Sequence, residues 1–410
     1  LGTIAINSLS GGANFHLIMI GLAVFALLIT LGGMKVIGYT DVIQVVVLIV
    51  GGLVTSYIAL NMVSQKFGTG SNIVAGFNHL MDKAPEHFKM IFAKPGAGAT
   101  PQQVSNYVDL PGIAMLMGGM WIANLNYWGC NQYITQRALG ADLNTARKGI
   151  LFAGFIKLLM PLIVVLPGIA AYVLHHGKVV ADNAYSAILG FLPTGLKGLS
   201  MAALTAAIVA SLAGKANSIS TIYTLDIYKK YINKEASEKT LVWTGRVAIL
   251  VALVLAIIIN WKDLLGIGGE GGFVFIQKYT GYISPAIFAV FLLGFFWKRT
   301  TSTAAIAGIL GGVVLMVLFD RYLPGWFGPE TPLYTAFANA QGIYQIPFLV
   351  SMGWVFFFTV LLMVIISLVD NRRPENTLIV DASLFKVSGA VLAMIILITV
   401  LLLVLYIRFW

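Results

Sequence analysis

Ten long apolar segments, roughly 14–34, 36–63, 110–139, 144–177, 192–232, 238–261, 271–297, 301–324, 341–369 and 385–410, fill most of this chain. Only short polar breaks separate most of them. A bilayer core about 30 Å thick is crossed by about 20 helical residues. Each segment is therefore long enough to span, and the longest must tilt, kink or emerge from the lipid. Inside hydrocarbon every backbone N–H and C=O has to be satisfied within the structure, which leaves only helices and closed barrels. The runs lack the ten-residue alternation of an outer-membrane barrel. The expected fold class is an all-α integral membrane helical bundle.

Composition closes the alternatives. Apolar residues make up 59 % and charged residues 10 % of 410, against about 25 % charged in an average soluble domain. No stretch is left for a soluble domain, and 1–410 is expected to be a single polytopic membrane domain. The net charge of +10 sits mainly in the loops and is read as topology, with no nucleic-acid partner. Arg137, Arg147 and Lys148, then Lys229, Lys230, Lys234 and Lys239, then Lys298 and Arg299, then Arg372, Arg373 and Lys386 fall in alternate connections on one side. The facing connections carry Asp182, Asp263 with Glu270, and Glu330. The basic side is thus expected in the cytoplasm, with the loop 64–109 and Trp410 outside. Residues 1–11 lack a Met, a basic leader and a cleavage site. They read as the tail of a helix whose start is absent, so the chain is expected to be a fragment of something longer. The single cysteine, Cys130, makes no intrachain disulfide and lacks the spacing of a zinc site.

Polar groups inside hydrocarbon are costly and mark candidate sites. Lys157, in FAGFIKLLMPLIVVLPG, lies about two turns into the bilayer with no acid in its own segment. It reads either as a lysine snorkelling to the interface or as a solute ligand facing a water-filled cavity. In the third segment Asn124, Tyr127, Trp128 and Asn131 recur at i, i+3, i+4 and i+7, one helical face of amides and rings. Such a stripe suits a sugar, whose C–H face packs on aromatics while its hydroxyls pair with amides; it equally suits an interhelical hydrogen-bond seam. In the fifth segment Ala207, Ala210 and Ser211 at i, i+3 and i+4 read as close helix packing. They read alternatively as oxygen donors to a hard monovalent cation, through the hydroxyl and carbonyls freed at a helix irregularity. Phe273 and Gln277 share a face in the seventh segment, with Pro285 interrupting the helix beyond them. Pro161 and Pro167 do the same in the fourth, and broken helices near the midplane are a transporter habit.

No carboxylate is expected mid-span; Asp41 and Asp226 stand nearest, at span ends. The string GIGGEG at 266–271 matches a dinucleotide fingerprint literally, but no strand precedes it. Neither G-x-S-x-G nor H-E-x-x-H occurs, and the five histidines show no metal spacing with acids. The chain is not expected to be an enzyme.

Five strings, GG followed by GYTDVIQ (32–44), ANLNYWGCNQYITQRAL (123–139), GILFAGFIKLLMPLIVVLPGIAAYV (149–173), AALTAAIVASLAGKANS with TLDIY (202–228), and IQKYTGYISPAIFAVFLLGFFWKRTTS (276–302), together resemble the solute:sodium symporter family over essentially the whole chain. The resemblance implies a five-plus-five inverted-repeat fold with added helices. On it, 1–63 ends the first repeat, 64–109 is an external loop, 110–297 forms the second repeat and 298–410 adds C-terminal helices. The opening helices of the first repeat are absent. The function implied is sodium-driven uptake of a monosaccharide, galactose or glucose, across the cell (inner) membrane, with membrane lipid and sodium as the other partners. Asn124, Lys157 and Gln277 would hydrogen-bond the sugar, Tyr127 stack on it from the cytoplasmic side and Phe273 cover it from outside. Ala207 and Ala210 would lend carbonyls, and Ser211 its hydroxyl, to one sodium ion whose remaining ligands lie on an absent helix, with Asp41 on the ion's exit route. The departures are Ala210 where the family often has serine, Asn126 where an aromatic is common, and Lys215. A non-sugar solute and a sugar-responsive sensor without net transport stand as alternatives.

Overall fold

The computed structural model describes residues 2–12, 14–96, 98–178, 183–261, 271–339, 341–370 and 380–410, with only the backbone of 33–37. Asp182, Asp263, Glu270, Arg372, Arg373 and all but the last residue of the 266–271 string lie outside the described residues. Every apolar segment proposed from sequence contains helix. Among the described residues, seven helices are long and apolar enough to cross a membrane: Gly38–Lys66, Leu143–Leu174, Thr194–Ile232, Glu238–Trp261, Ser302–Phe327, Phe348–Val369 and Gly389–Phe409. Two bent helix pairs pass the same test when each is taken as one broken span, Pro101–Met117 with Gly119–Cys130 at 78° and Gly272–Gly281 with Ser284–Phe296 at 48°. Phe15–Leu31 is a shorter apolar helix. Strand is confined, among the described residues, to a hairpin pairing Phe337 with Gln345 and Ala338 with Tyr344.

Helix starts fall where the sequence supplies a side-chain acceptor for the orphan N–H groups. Asn14 accepts from Leu17, Asn72 from Val74 and Ala75, Thr301 from Ala304 and Ser388 from Val391. The chain divides into two compact units, Leu1–Phe88 with Phe152–Gly272, and Lys89–Leu151 with Phe273–Trp410.

In the first unit Ala59, Val63, Leu80, Leu166, Ile169 and Ala170 form the largest apolar cluster. Close approach depends on glycine. A Cβ on Gly76 would lie 2.0 Å from the Leu60 carbonyl oxygen, and one on Gly52 would lie 2.1 Å from Ile163 Cγ2. Lys66, ending its helix, donates to the Val173 and Leu174 carbonyls at 3.2 and 2.8 Å. A cation there satisfies the orphan acceptors and the negative end of the Leu166–Leu174 helix.

The second unit is organised on Phe348–Val369. Leu349 and Met352, both buried, pack with Met115, Met316 and Phe319. Farther along, Gly308 and Gly312 bring the Ser302–Val317 helix against Met363 and Thr359. In Gly389–Phe409 only Val391 is buried, the pattern of a helix whose remaining surface faces lipid.

Candidate functional site

The sequence-assigned residues fall in both units. Asn124, Tyr127, Trp128, Phe273 and Gln277 belong to the second, and Lys157, Ala207, Ala210, Ser211 and Asp41 to the first. Each group stands in its own local setting.

The third span breaks at Gly118, whose φ of −95° and ψ of −123° end one helix and begin another. That corner is seated on backbone: a Cβ on Gly118 would lie 2.6 Å from the Leu349 carbonyl oxygen, and one on Gly119 2.7 Å from Met352 Cβ. Two adjacent glycines are what admits the contact. The helix Gly119–Leu125 then gives way to a π-helical turn, Asn126–Cys130. Asn131 leaves helical geometry at φ −85°, ψ 117° and caps Gln132–Ala138 by accepting from Tyr133. The single α-helical stripe expected through Asn124, Tyr127, Trp128 and Asn131 is thereby corrected. The π turn widens the spacing from Asn126 onward, and the Asn131 side chain is spent on a helix start. Asn124 is exposed and donates its amide to the Met120 carbonyl at 2.8 Å, leaving its own oxygen as an acceptor. Tyr127 is 41 % exposed, with its ring edge-to-face on Trp128, centroids 5.8 Å apart. Asn126 was not a sequence candidate, yet its amide oxygen is buried without a partner among the described residues.

The seventh span breaks between Gly281 and Ser284, with Pro285 at the start of the second half. Proline has no N–H to give the preceding turn, so the helix restarts at an angle. Phe273 is 74 % exposed one turn ahead of Gln277, and the Gln277 amide takes no hydrogen bond among the described residues. Gly281 rests on Met352: a Cβ on this glycine would lie 3.1 Å from the methionine sulfur. Met352, 1 % exposed, therefore supports both broken spans, the third through Gly119 and the seventh through Gly281.

In the first unit Lys157 closes the helix Leu143–Lys157 where the chain tightens, Leu158 and Leu159 donating three residues back to Phe155 and Ile156. Pro161 follows and opens a π-helical turn, Pro161–Val165. Within it Leu166 N–H bonds Pro161, and Pro167 has no N–H, so the Leu162 carbonyl loses both intrahelical donors. The buried Ser56 hydroxyl of the neighbouring helix bonds that carbonyl. A freed group in a membrane helix must be met by a neighbour, and here it is. Lys157 itself is exposed and has partners of its own.

Thr194–Thr221 runs unbroken past Ala207, Ala210 and Ser211, and the irregularity is the π-helical stretch Ile222–Ile232. This corrects the expectation of carbonyls freed beside those residues. The carbonyls of Ala207 and Ala210 keep their helical donors, and what they offer a cation is the second lone pair. Ala210 is 3 % exposed; Ala207 and Ser211 are half-buried. Thr205 and Thr221 on the same helix donate to carbonyls four residues back, at 2.8 and 2.9 Å. Ser211, among the described residues, makes no such bond. Its oxygen is among the hydroxyls of this stretch that take no such bond, and just beyond the helix the Thr224 hydroxyl is buried without a partner among the described residues. No group of three His, Cys, Asp or Glu gathers among the described residues, so hydroxyl and carbonyl oxygens are the donors on offer here. Asp41 is half-buried in Gly33–Lys66 and is engaged with neighbours.

One carboxylate escaped sequence reasoning. Asp320 lies within the Ser302–Phe327 span, in the π-helical turn Leu318–Tyr322, and its side chain is 11 % exposed. The expectation of no mid-span acid is corrected to that extent. The signal available was the adjacent pair Asp320-Arg321 inside the eighth apolar segment.

A model of the sodium:solute symporter family matches residues 2–312. The chain is 45 % identical over 343 residues to a sodium/glucose cotransporter of Vibrio parahaemolyticus, covering 79 % of this chain and 60 % of that one. It is 31 % identical over 331 residues to the human sodium/myo-inositol cotransporter 2, covering 74 % and 47 %. The chain thus spans about half to three fifths of the length of the curated relatives it matches. A solved structure of a Na+-coupled sialic acid symporter, substrate-bound and outward-open, superposes with a TM-score of 0.68 at 17 % identity, covering 92 % of this chain and 71 % of that one. The likeness establishes a shared fold.

Proposed function

Because the chain belongs to the sodium:solute symporter family, we propose that it is the core of a secondary active transporter coupling sodium entry to uptake of a monosaccharide, galactose or glucose, by alternating access. The observation that carries the reading is the amide and aromatic set on two broken spans that share one support, Met352. Asn124 and Gln277 offer amides to sugar hydroxyls, Tyr127 and Trp128 offer rings to its C–H face, and Phe273 covers it. Lys157, at a helix break, supplies a charged donor. Ala207 and Ala210 carbonyls with the Ser211 hydroxyl hold one sodium ion, and Asp41 lies on its way out. The 45 % identity to a sodium/glucose cotransporter supports both solute and ion.

The energetics are sufficient. A sodium ion entering at about −100 mV gains about 2.3 kcal/mol from voltage alone, and coupling requires that sodium favour the solute-binding state over the other. Lipid is the surrounding solvent of the multi-pass bundle, and the cell (inner) membrane is the membrane we assign.

Radiolabelled galactose uptake into proteoliposomes holding the full-length parent protein tests the reading, with an inward sodium gradient, a potassium control and Lys157→Ala alongside. Accumulation that needs sodium and is lost in the variant is expected. Uptake that ignores sodium, or an undiminished variant, overturns it. The match to a sodium/myo-inositol cotransporter favours a second reading, a cyclic polyol as solute. Unlabelled myo-inositol that competes better than galactose would establish it.

A further inference from the structure

Asp320 gathers groups from two spans of the second unit. Its Oδ1 lies 3.8 Å from Lys278 Nζ, and its Oδ2 accepts the Tyr282 hydroxyl at 2.5 Å and lies 3.1 Å from Arg321 Nε. Side-chain exposure is 11 % for Asp320, 22 % for Lys278 and 66 % for Arg321. The Arg321 charge therefore remains largely open while the Lys278 pair is sheltered, and sheltered charges attract several-fold more strongly than charges in water. The two partners on the bent span lie on either side of the last turn of its first half. Lys278 belongs to Gly272–Gly281, and Tyr282 stands in the break ahead of Ser284–Phe296. One carboxylate thus meets the last turn of that half-helix and the break that follows it, at two points a turn apart. Phe273 and Gln277 ride on the same half-helix, and Gln277 adjoins Lys278 in sequence.

We propose that Asp320 is a positioning residue for the solute site: by gripping Lys278 and Tyr282 it sets the 48° bend and with it the aim of the Gln277 amide and the Phe273 ring. The inference rests on the solute-binding role given above to Gln277 and Phe273. The lever is short but sufficient. Gln277 stands about 6 Å along the axis from the break at about 1.5 Å per residue, so a change of about 10° in the bend displaces it by about 1 Å. That turns a hydrogen bond of about 2.9 Å into a contact of about 3.9 Å, which is no bond. Removing a partner from a sheltered ion pair leaves the other charge uncompensated, so the half-helix is expected to settle at another angle once the carboxylate is neutralised. Met352 supports the break from another element through Gly281, which lets the span keep its place while its pitch changes.

The test compares Asp320→Asn, Asp320→Glu and Tyr282→Phe in the full-length parent protein. Galactose KM and Vmax and the sodium concentration for half-maximal uptake are read in proteoliposomes. Separately, the maleimide labelling rate of a cysteine at Phe273→Cys is read in a Cys130→Ser background. Asp320→Asn is expected to raise the galactose KM at least tenfold with Vmax and sodium dependence within twofold, Tyr282→Phe about threefold, and Asp320→Glu to recover part of the loss. The labelling rate is expected to change at least threefold in Asp320→Asn. A galactose KM within twofold in Asp320→Asn, or a sodium requirement rising in step with KM, overturns the proposal. Where Asp320→Asn does not fold, Tyr282→Phe keeps the ring volume and carries the same test. If the parent protein moves no galactose, the function reading fails by itself. The labelling rate still decides the present proposal, and an unchanged rate in both variants overturns it.

Discussion

The Thr194–Thr221 helix runs 28 residues without a break past Ala207, Ala210 and Ser211, whereas the spans carrying Asn124, Tyr127, Phe273 and Gln277 are both broken, at Gly118 and between Gly281 and Ser284. The contrast agrees with what the proposed ligand of each region would demand. A bare cation needs oxygens at fixed positions, and a continuous helix fixes carbonyls rigidly while each retains a second lone pair. A solute with several hydroxyls needs side chains aimed from more than one direction, and a bent helix supplies new directions. A bend inside lipid must be held by neighbours. The third span's break is accordingly seated on Leu349 and Met352, and the seventh span meets Met352 through Gly281 and Asp320 through Lys278.

The largest effect is expected where a break meets its support. Gly119→Leu drives a side chain into Met352 Cβ at 2.7 Å and the Leu349 carbonyl at 2.9 Å. Overpacking of this kind costs about 1–3 kcal/mol or more, and contact with backbone places this variant at the upper end. Loss of the monodisperse detergent-solubilised peak, or a Tm fall of several degrees, is expected, while Gly195→Leu, with nothing within 4 Å, should match the parent. Equal behaviour of the two would show that the break needs no seat.

Next comes a double dissociation. Ser211→Ala should raise the sodium concentration for half-maximal uptake about tenfold, a loss of about 1.4 kcal/mol, and leave the Tm unchanged. Gln277→Ala should raise the solute KM by a similar factor and spare the sodium dependence. Flux assays at varied sodium and solute read both, and a pair of variants shifting both quantities together would erase the contrast between the two regions.

Ser56→Ala sharpens it from another side. The variant leaves the Leu162 carbonyl without the donor that Pro167 denies it. Hydrogen bonds between membrane helices are worth about 0.6–1.7 kcal/mol, so a Tm fall of a few degrees is expected, and an unchanged Tm would show that the break after Lys157 carries its orphan acceptor at no cost.

The smallest effect lies outside the spans. Asp142 accepts from the Asn144 and Thr145 amides at 3.0 Å each, and the hydrogen bonds from Thr145 hold its carboxyl below the usual 3.8. A lowered carboxylate contributes stability that is present above its ordinary pKa and is lost as pH falls through the lowered one. The Tm difference between parent and Asp142→Ala should be steady at neutral pH and close as pH drops below about 4; a difference independent of pH would deny the carboxylate its capping role.

Much of this was readable in advance. The segments 238–261 and 341–369 announce helices by length and apolarity, and the helices Glu238–Trp261 and Phe348–Val369 lie within them. Pro161, Pro167 and Pro285 announce breaks, because a missing N–H is a property of one residue. The stripe through Asn124 and Asn131 failed because constant α-helical spacing does not survive a π turn. Asp320 was passed over because its role depends on Lys278 and Tyr282, thirty-eight or more positions away along the chain.

The amino-acid sequence by itself determined that the chain is an all-helical membrane bundle, where its spans lie, and which residue types stand inside them. These follow from burial of apolar surface and from the rule that backbone in lipid satisfies itself, and both act along a single segment. Tertiary structure alone decided where the helices bend and which bends are held. Gly119 on Met352, Ser56 on Leu162 and Asp320 on Tyr282 are contacts between elements. Their energy exists only once two segments are brought together, and no property of either segment alone contains it.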